Sequence, residues 1–217
     1  MHKHIKLLPT DLIKRYQGWK ATIYEQDKDW YNNIAKEGQN PRAMIISCCD
    51  SRIHATSIFG ADIGEFFIHR NIANLVPPYN TNGDHQSTSS ALEYAVKNLH
   101  VAHIIILGHS NCGGIINGYK LFNGDKIFHE SIFVNKWLSI LKPAFENIRK
   151  DKNQLDKEHI EDFAKESIKF SINNLTYFPF IKSALDKNEL ILHGLWYDIG
   201  SGKMETLEPS SMNFINI

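Results

Sequence analysis

The sequence predicts an α/β fold, namely a mainly parallel β-sheet flanked by helices, with an N-terminal helical arm and a C-terminal hairpin or edge strand. Two apolar runs, Ala43 to Cys48 and Val101 to Leu107, lack the alternation of half-exposed strands, as expected for strands that are covered on both faces. Segments with the periodicity of amphipathic helices alternate with such runs, and this order favours a parallel sheet.

The N-terminal arm is predicted from apolar residues that recur at steps of three and four between Thr10 and about Glu37. This spacing indicates one or two amphipathic helices, with Thr10 or Asp11 available as the N-cap. We interpret the large aromatic residues Trp19 and Trp30 as packing residues, either in the core of the chain or at an interface between subunits.

The remaining elements follow from the same patterns of hydrophobicity and turn residues. We expect one domain of 217 residues, in which 1–38 form the arm and 39–217 the α/β core. The predicted order after the first strand is a loop with a short helix over 53–63, a strand over 65–69, a long loop over 75–86, a helix over 87–99, the strand over 101–107, a helix over 113–119, a turn over 121–126, helices over 130–149 and 157–176 separated by a charged loop, a short helix over 178–185, and a strand over 189–198 that turns into a hairpin ending near Leu207.

Charge and composition exclude several classes of function. Lys plus Arg and Asp plus Glu number 24 each, so the chain has no net positive charge for nucleic acid. No apolar run is long enough to cross a membrane, and the first residues lack the apolar core of a secretion signal. The three cysteines suit a reducing compartment better than a disulfide framework, so we expect a cytoplasmic protein.

Side chains that can bind a metal follow both apolar runs. The first run ends in Cys48, with Asp50 and Arg52 close behind, and the second leads to His109 and Cys112. The carboxyl ends of parallel strands meet at one edge of a sheet, so these residues can converge there. Two thiolates and one imidazole leave one tetrahedral position of zinc open for water, which is typical of a catalytic site. Taken singly, His109 is more simply interpreted as a buried histidine and Cys112 as an inert thiol. Their occurrence together with Cys48 favours the interpretation as metal ligands.

The residues after Cys48 indicate which thiol is the ligand. If the chain stays extended, Cys48, Asp50 and Arg52 share one side, and Cys49 points to the other side as a small core residue. Asp50 and Arg52 are either an exposed ion pair of little energetic value or a functional pair. In the second case Arg52 keeps Asp50 ionised, and Asp50 accepts a hydrogen bond from zinc-bound hydroxide.

The pattern C-x-D-S-R, followed by G-H-S-x-C-G-G, resembles the β-class carbonic anhydrases, and the similarity extends to 70–78 and 93–96. The resemblance is closest to the plant-like subtype, which has an open zinc site. It implies reversible hydration of CO₂ to bicarbonate and a proton through zinc-bound hydroxide. The implied ligands of one zinc ion per chain are Cys48, His109 and Cys112, and the implied catalytic pair is Asp50 and Arg52.

The resemblance also implies residues that bind the substrate. Phe67, Ile72 and Tyr94 correspond to the walls of the pocket, and Gln39 corresponds to a glutamine that donates a hydrogen bond from the neighbouring subunit. A homodimer or a higher homo-oligomer is therefore expected. Gly113, together with the glycine after it, would allow close approach of the backbone, and the helix that starts there would offer N–H groups to an anion.

Two other functions stay open. A hydrolase of CS₂ or COS on the same fold would be favoured by a narrowed entrance tunnel. A non-catalytic zinc-binding protein would not need an acceptor beside the fourth ligand position, and the intact pair of Asp50 and Arg52 argues against it.

Overall fold

The computed structural model describes residues 4–83, 86–124, 131–148 and 157–217. Its internal contacts divide the chain into two compact units, 1–40 and 41–217. The first unit is helical, as predicted, and consists of α1 (Thr10–Trp19), a π-helical turn (Lys20–Tyr24) and α2 (Lys28–Glu37). The expectation of one functional domain stays a prediction.

Two details of the predicted arm are wrong. The helix α1 begins at Thr10, so its N-cap is Pro9 and neither Thr10 nor Asp11. Pro9 makes no side-chain cap. No residue of α1 or α2 is buried, and Trp19 and Trp30 are each 38% exposed. Both indoles contact the ring of Tyr31 within the arm, so they are not core residues of the chain. Their alternative interpretation as interface residues stays a prediction.

The second unit is built on a sheet that has six strands within the described residues, in the order β2-β1-β3-β4-β5-β6. The first four strands in this order are parallel neighbours, and the last two add antiparallel pairs. This confirms the mainly parallel sheet and the C-terminal hairpin. The strand β6 was not predicted, because three residues are too short for a recognisable alternation. The bounds are β1 (Ala43–Cys48), β2 (Phe66–Asn71), β3 (His103–His109), β4 (Ile191–Tyr197), β5 (Met204–Leu207) and β6 (Phe214–Asn216).

The helices of the second unit follow the predicted order with shifted ends. They are α3 (Ala55–Phe59), α4 (Gln86–Lys97), α5 (Gly113–Phe122), α6 (Ile132–Leu138), α7 (Lys142–Ile148), α8 (Lys157–Leu175) and α9 (Pro179–Asp186).

Two of the helix predictions need correction or lie partly out of reach. The single helix predicted over 130–149 is wrong, because a 3₁₀ turn at Ser139–Leu141 interrupts it. The break lies just before Pro143, and a helix tolerates proline only in its first turn. The predicted turn over 121–126 begins later, since α5 continues to Phe122. Its end, and the charged loop over 150–153, lie outside the described residues.

The core occupies both faces of the sheet. On one face Ile46, Ile104 and Ile106 pack into a large cluster that includes Phe163 and Ile168 of α8. The other face carries a smaller cluster, in which Ile45, Leu107 and Leu195 are buried with Ala55 of α3. Burial on both faces explains the unalternated apolar runs of β1 and β3. Across the described part of the chain, no helix combines the length and apolarity needed to span a membrane.

Candidate metal centre

Three buried side chains converge at the carboxyl ends of two neighbouring strands. Cys48 is the last residue of β1, His109 is the last residue of β3, and Cys112 is the N-cap of α5. Because β1 and β3 are parallel neighbours, their ends lie at the same edge of the sheet. The ligand atoms of the three side chains all lie within 4.8 Å of one another. The structure thus brings together the residues that the sequence analysis selected.

The donor atoms fit a tetrahedral metal ion such as zinc. The sulfur atoms of Cys48 and Cys112 are 3.8 Å apart, and two thiolates at about 2.3 Å from one tetrahedral zinc ion would be separated by about 3.8 Å. Nδ1 of His109 lies 2.9 Å from the carbonyl oxygen of Ser110. A carbonyl only accepts hydrogen bonds, so Nδ1 carries a proton, and in the neutral imidazole Nε2 is the nitrogen that presents a lone pair. This Nε2 atom is buried and has no hydrogen-bond partner within the described residues.

The electrostatics of the thiol pair also suit a cation. The pKa of Cys48 is lowered, first by the hydrogen bond between its sulfur and that of Cys112 and then, against the effect of burial, by the side chain of His109 and the nearby main chain at Asp50 and Ala73. The same bond and burial raise the pKa of Cys112, against the effect of main-chain N–H groups at the start of α5. The pair therefore releases one proton readily and retains the other, and a bound dication would stabilise the second thiolate.

Asp50 reaches the site through a turn. The N–H of Ile53 donates to the carbonyl of Asp50 at 3.0 Å, and β1 ends at Cys48. The expectation of an extended chain as far as Arg52 is therefore wrong. The turn folds Arg52 back, so that its N–H and Nε donate to Oδ1 of Asp50 at 3.0 and 2.9 Å and its Nη2 donates to Oδ2 at 2.7 Å.

The consequence of this pairing is an aspartate that stays ionised. The hydrogen bond from Arg52 is the main cause that holds the pKa of Asp50 well below its usual range. Oδ2 of Asp50 also lies 4.0 Å from Nε2 of His109. A carboxylate acceptor therefore stands beside the group of potential metal ligands.

The two adjacent thiols lie in different surroundings, since Cys49 is exposed and Cys48 is buried. The prediction that Cys49 is a small core residue is wrong, because the strand has ended and the chain turns towards the surface. The N–H of Cys49 still donates to the carbonyl of Asn71 at 2.9 Å. All three cysteines are free thiols.

Arg70 supports the first motif, and the sequence analysis assigned it no role. Its Nε donates to the carbonyl of Cys48 at 2.9 Å, and its Nη2 donates to the carbonyls of Asp50 and Ile53 at 2.7 and 2.9 Å. The side chain thus fixes the backbone that carries the ligand and the aspartate. The feature of the sequence that could have predicted this role is a basic residue near the end of the strand next to β1.

The residues predicted as pocket walls lie on three different elements. Phe67 belongs to β2 and Tyr94 to α4, and their ring centroids are 5.9 Å apart. Ile72 lies in the turn after β2. Ile72 is 38% and Tyr94 46% exposed, so this apolar surface is open in the single chain.

The two glycines after Cys112 differ in their surroundings. Among the described residues, no atom would lie within 4 Å of a Cβ placed on Gly113, so the expected close approach at this position stays a prediction. A Cβ on Gly114 would come within 2.7 Å of Cγ2 of Ile72 and 2.9 Å of Cβ of Ala73. Gly113 is the first residue of α5, as expected for a residue at a helix N-terminus. Its binding of an anion through N–H groups stays a prediction.

Gln39 lies in the first unit, in the exposed segment between α2 and β1. Its predicted contact with the site of a neighbouring subunit stays a prediction.

Comparisons with known proteins agree with this geometry. The family model described as carbonic anhydrase matches residues 43–204. Beta carbonic anhydrase 3 of Arabidopsis thaliana is 35% identical over 191 residues, which cover 88% of this chain and 73% of that protein. The chloroplastic beta carbonic anhydrase 5 of the same plant is 34% identical over 190 residues, or 87% of this chain and 61% of that protein.

Solved structures give the same result. The structure of the beta-carbonic anhydrase CcaA superimposes with a TM-score of 0.89 at 27% identity, covering 96% of this chain and 91% of that one. One of two tetrameric beta-carbonic anhydrases from Sordaria macrospora has a TM-score of 0.77 at 31% identity, covering 91% of this chain and 95% of that one. The sequence matches, the fold and the convergence of the two motifs together show that the chain belongs to the β-carbonic anhydrase family.

Proposed function

We propose that this protein catalyses the reversible hydration of CO₂ to bicarbonate and a proton, with one zinc ion held by Cys48, His109 and Cys112. The observation that carries the proposal is the unpartnered Nε2 of His109, which lies within 4.8 Å of both thiols and 4.0 Å from the carboxylate of Asp50. Membership of the family supports CO₂ hydration as the reaction. Zinc bound there would act as a Lewis acid that lowers the pKa of a water molecule.

The catalytic role that we assign to Asp50 follows from its charge. An ionised carboxylate only accepts hydrogen bonds, so Asp50 holds the O–H of the reacting water and leaves a lone pair of that oxygen directed at the substrate. A bond then forms between this oxygen and the carbon of CO₂, one C=O π bond breaks, and the proton of the water leaves to the solvent. Asp50 itself stays ionised, because Arg52 stabilises its charge.

The role of Arg52 is to hold Asp50 in place. Besides its bonds to both carboxylate oxygens, its Nη2 donates to the carbonyl of Asn111 at 3.2 Å. Asn111 directly precedes the ligand Cys112 and has a left-handed φ of 52°. Arg52 therefore ties the turn after β1 to the loop before α5, so that the aspartate and two of the proposed ligands move together.

The substrate pocket that we propose combines an apolar wall with a polar end. Phe67, Ile72 and Tyr94 offer an apolar surface to CO₂, which carries no net charge. Bicarbonate is an anion, and the N-terminus of α5, which starts at Gly113, offers main-chain N–H groups for it. The apolar wall therefore favours the entry of CO₂. Bicarbonate is held only by the polar end of the pocket.

We also propose a homo-oligomer in which Gln39 reaches the site of a neighbouring subunit. The exposed rings of Trp19 and Trp30 in the arm, and the exposed Ile72 and Tyr94 of the pocket wall, are the kinds of surface that subunit interfaces bury. The tetrameric relative from Sordaria macrospora supports assembly. We propose the cytoplasm as the location because the three cysteines are free thiols, as expected in a reducing compartment.

The test is a stopped-flow assay of CO₂ hydration on protein whose metal content has been measured. We expect one zinc ion per chain and hydration that is lost when a chelator removes the metal and returns when zinc is added. One zinc ion per chain without hydration would overturn the proposal. In that event, hydrolysis of COS or CS₂ by the same preparation would identify the alternative enzyme, and inactivity on all three substrates would identify a non-catalytic zinc-binding protein.

A further inference from the structure

The segment between two of the proposed ligands depends on a buried serine. Ser110 and the residue after it form the whole connection from His109 to Cys112. The carbonyl of Ser110 is the group that accepts a hydrogen bond from Nδ1 of His109, at 2.9 Å. This bond selects the nitrogen of His109 that is left for a metal. The direction of the carbonyl in turn depends on how the backbone of Ser110 is held.

Ser110 is held by two hydrogen bonds to the chain at the end of β4. Its main-chain N–H donates to the carbonyl of Tyr197 at 2.9 Å, which continues the bonding between β3 and β4 one residue beyond His109. Its hydroxyl oxygen accepts from the main-chain N–H of Ile199 at 3.0 Å. Ser110 is only 6% exposed, so water does not readily replace the hydroxyl in this contact.

The turn that presents the N–H of Ile199 is fixed by its own hydrogen bonds. The N–H of Asp198 donates to the carbonyl of Lys203 at 2.8 Å, and the N–H of Gly202 donates to the carbonyl of Asp198 at 2.9 Å. The N–H and the hydroxyl of Ser201 both donate to Oδ1 of Asp198, at 2.7 and 2.8 Å. The N–H of Ile199 therefore keeps its direction through contacts that lie outside both metal-binding motifs.

We propose that Ser110 is a positioning residue for the metal centre: its hydroxyl ties the segment after His109 to the turn between β4 and β5, and so keeps the Ser110 carbonyl aimed at Nδ1 of His109. The inference rests on the metal site of the proposed function and not on the hydration reaction. Without the hydroxyl, the N–H of Ile199 loses its partner and the peptide after Ser110 is held less firmly. A fraction of the imidazole then carries its proton on Nε2, and in that form Nε2 has no lone pair for a metal.

The test removes the hydroxyl by Ser110→Ala. Nitrogen NMR of the zinc-free protein, with isotope-labelled histidine, should show a single tautomer of His109 in the wild type, with the proton on Nδ1. The variant should show a mixture of both tautomers. The dissociation constant for zinc, measured by competition with a chromogenic chelator, should rise by about tenfold, the lower end of the range for partners of metal ligands.

The matched control is Ser201→Ala in the turn between β4 and β5. It removes a hydroxyl that donates to Asp198 and leaves the hydroxyl of Ser110 and the N–H of Ile199 in place. It should lower the temperature of unfolding, while the tautomer of His109 and the affinity for zinc stay at their wild-type values.

The wild type by itself decides the question if Ser110→Ala does not fold. Coupling between two sites is reciprocal, so a metal that fixes His109 should also strengthen the contact between Ser110 and Ile199. Zinc should therefore slow amide hydrogen exchange at Ile199 by a larger factor than at Gly202, which lies in the same turn and donates to Asp198. Equal slowing at the two amides would overturn the positioning role.

The outcomes separate this role from the proposed function. A wild type that binds no zinc would overturn the proposed function, and the tautomer of His109 in the zinc-free protein would still test the role of Ser110. A wild type with the proton on Nε2 would overturn the positioning role. So would an unchanged tautomer in folded Ser110→Ala, or the same change in Ser201→Ala, even if the affinity for zinc fell, because a purely structural contribution lowers affinity without moving this proton.

Discussion

Nε2 of His109 and Oδ2 of Asp50 face each other at 4.0 Å, and both atoms are acceptors when the imidazole is neutral with its proton on Nδ1. Two acceptors so close in a partly buried site repel each other unless a cation or a hydrogen-bond donor lies next to them. The two oxygens of Asp50 are held by Arg52, so the carboxylate cannot turn freely towards the histidine. The lone pair of His109 is thereby kept available for a metal ion, and Asp50 for whatever the metal binds.

The first prediction separates the two adjacent thiols. Cys48→Ser should lose zinc and hydration activity, because it removes a buried ligand. Cys49→Ser should keep both, because Cys49 is exposed and lies outside the group of potential ligands. Metal analysis and stopped-flow assays of the two variants check this, and zinc loss confined to Cys49→Ser would show that the assigned ligand is wrong.

The second prediction concerns the alkaline limb of the pH profile. Two thiolates neutralise the charge of zinc, so its water should be less acidic than the pKa of about 7 of a site with three neutral histidines. The hydration rate should therefore continue to rise above neutral pH. A rate that is constant from about pH 6.5 to 9, a range that brackets this reference value, would contradict either the ligand set or the limiting role of this ionisation.

The third prediction uses the lowered pKa of Asp50. A carboxylate whose pKa is lower in the folded than in the unfolded state stabilises the fold above its unfolded value of about 3.9 and loses this contribution as the pH falls through the folded value. The difference in free energy of unfolding between the wild type and Asp50→Asn should be constant from about pH 8 to 5 and shrink below about pH 4. Urea unfolding of the metal-free proteins measures it.

The control for this experiment is the same comparison in an Arg52→Gln background. Arg52 is the main cause of the lowered pKa, so the dependence on pH should largely disappear there. A difference that grows as the pH falls would have the wrong sign and would rule out the assigned pairing.

The fourth prediction compares neighbouring glycines of α5. Gly114→Ala should lower the free energy of unfolding by about 1–3 kcal/mol, the usual cost of overpacking, because its Cβ would lie 2.7 Å from Cγ2 of Ile72 and 2.9 Å from Cβ of Ala73. Gly113→Ala should be neutral or stabilise by up to about 1 kcal/mol through its better helix propensity, since no atom of the described residues lies within 4 Å of its added Cβ. Equal losses of stability would show that the close approach at Gly114 is not tight.

The fifth prediction tests the shared site. If Gln39 acts on a neighbouring subunit, Gln39→Ala and Asp50→Asn should each impair the homodimer, the second without loss of zinc. A mixed dimer of the two variants, purified with two different tags, would contain one site with both wild-type groups and one with neither. Its activity should recover towards half of the wild-type value per dimer. Activity no higher than the mean of the two parent variants would place Gln39 in its own chain or outside the mechanism.

Local patterns in the sequence determined the parts of this protein that depend on neighbouring residues. The apolar runs before Cys48 and His109 predicted the two central strands, because a strand covered on both faces needs a continuous apolar run. The residue types at the strand ends predicted which side chains converge as proposed metal ligands, since two thiols and an imidazole at the same edge of a parallel sheet have few other uses.

Only the tertiary structure decided how the side chains around these ligands are held. The turn at Asp50, the three carbonyl contacts of Arg70 and the bond from Trp137 to Ile72 join residues from separate elements, and no periodicity in the sequence encodes such contacts. The same holds for the left-handed Ala73: alanine by itself favours a helix or strand conformation, and the packed surroundings supply the interactions that outweigh this preference.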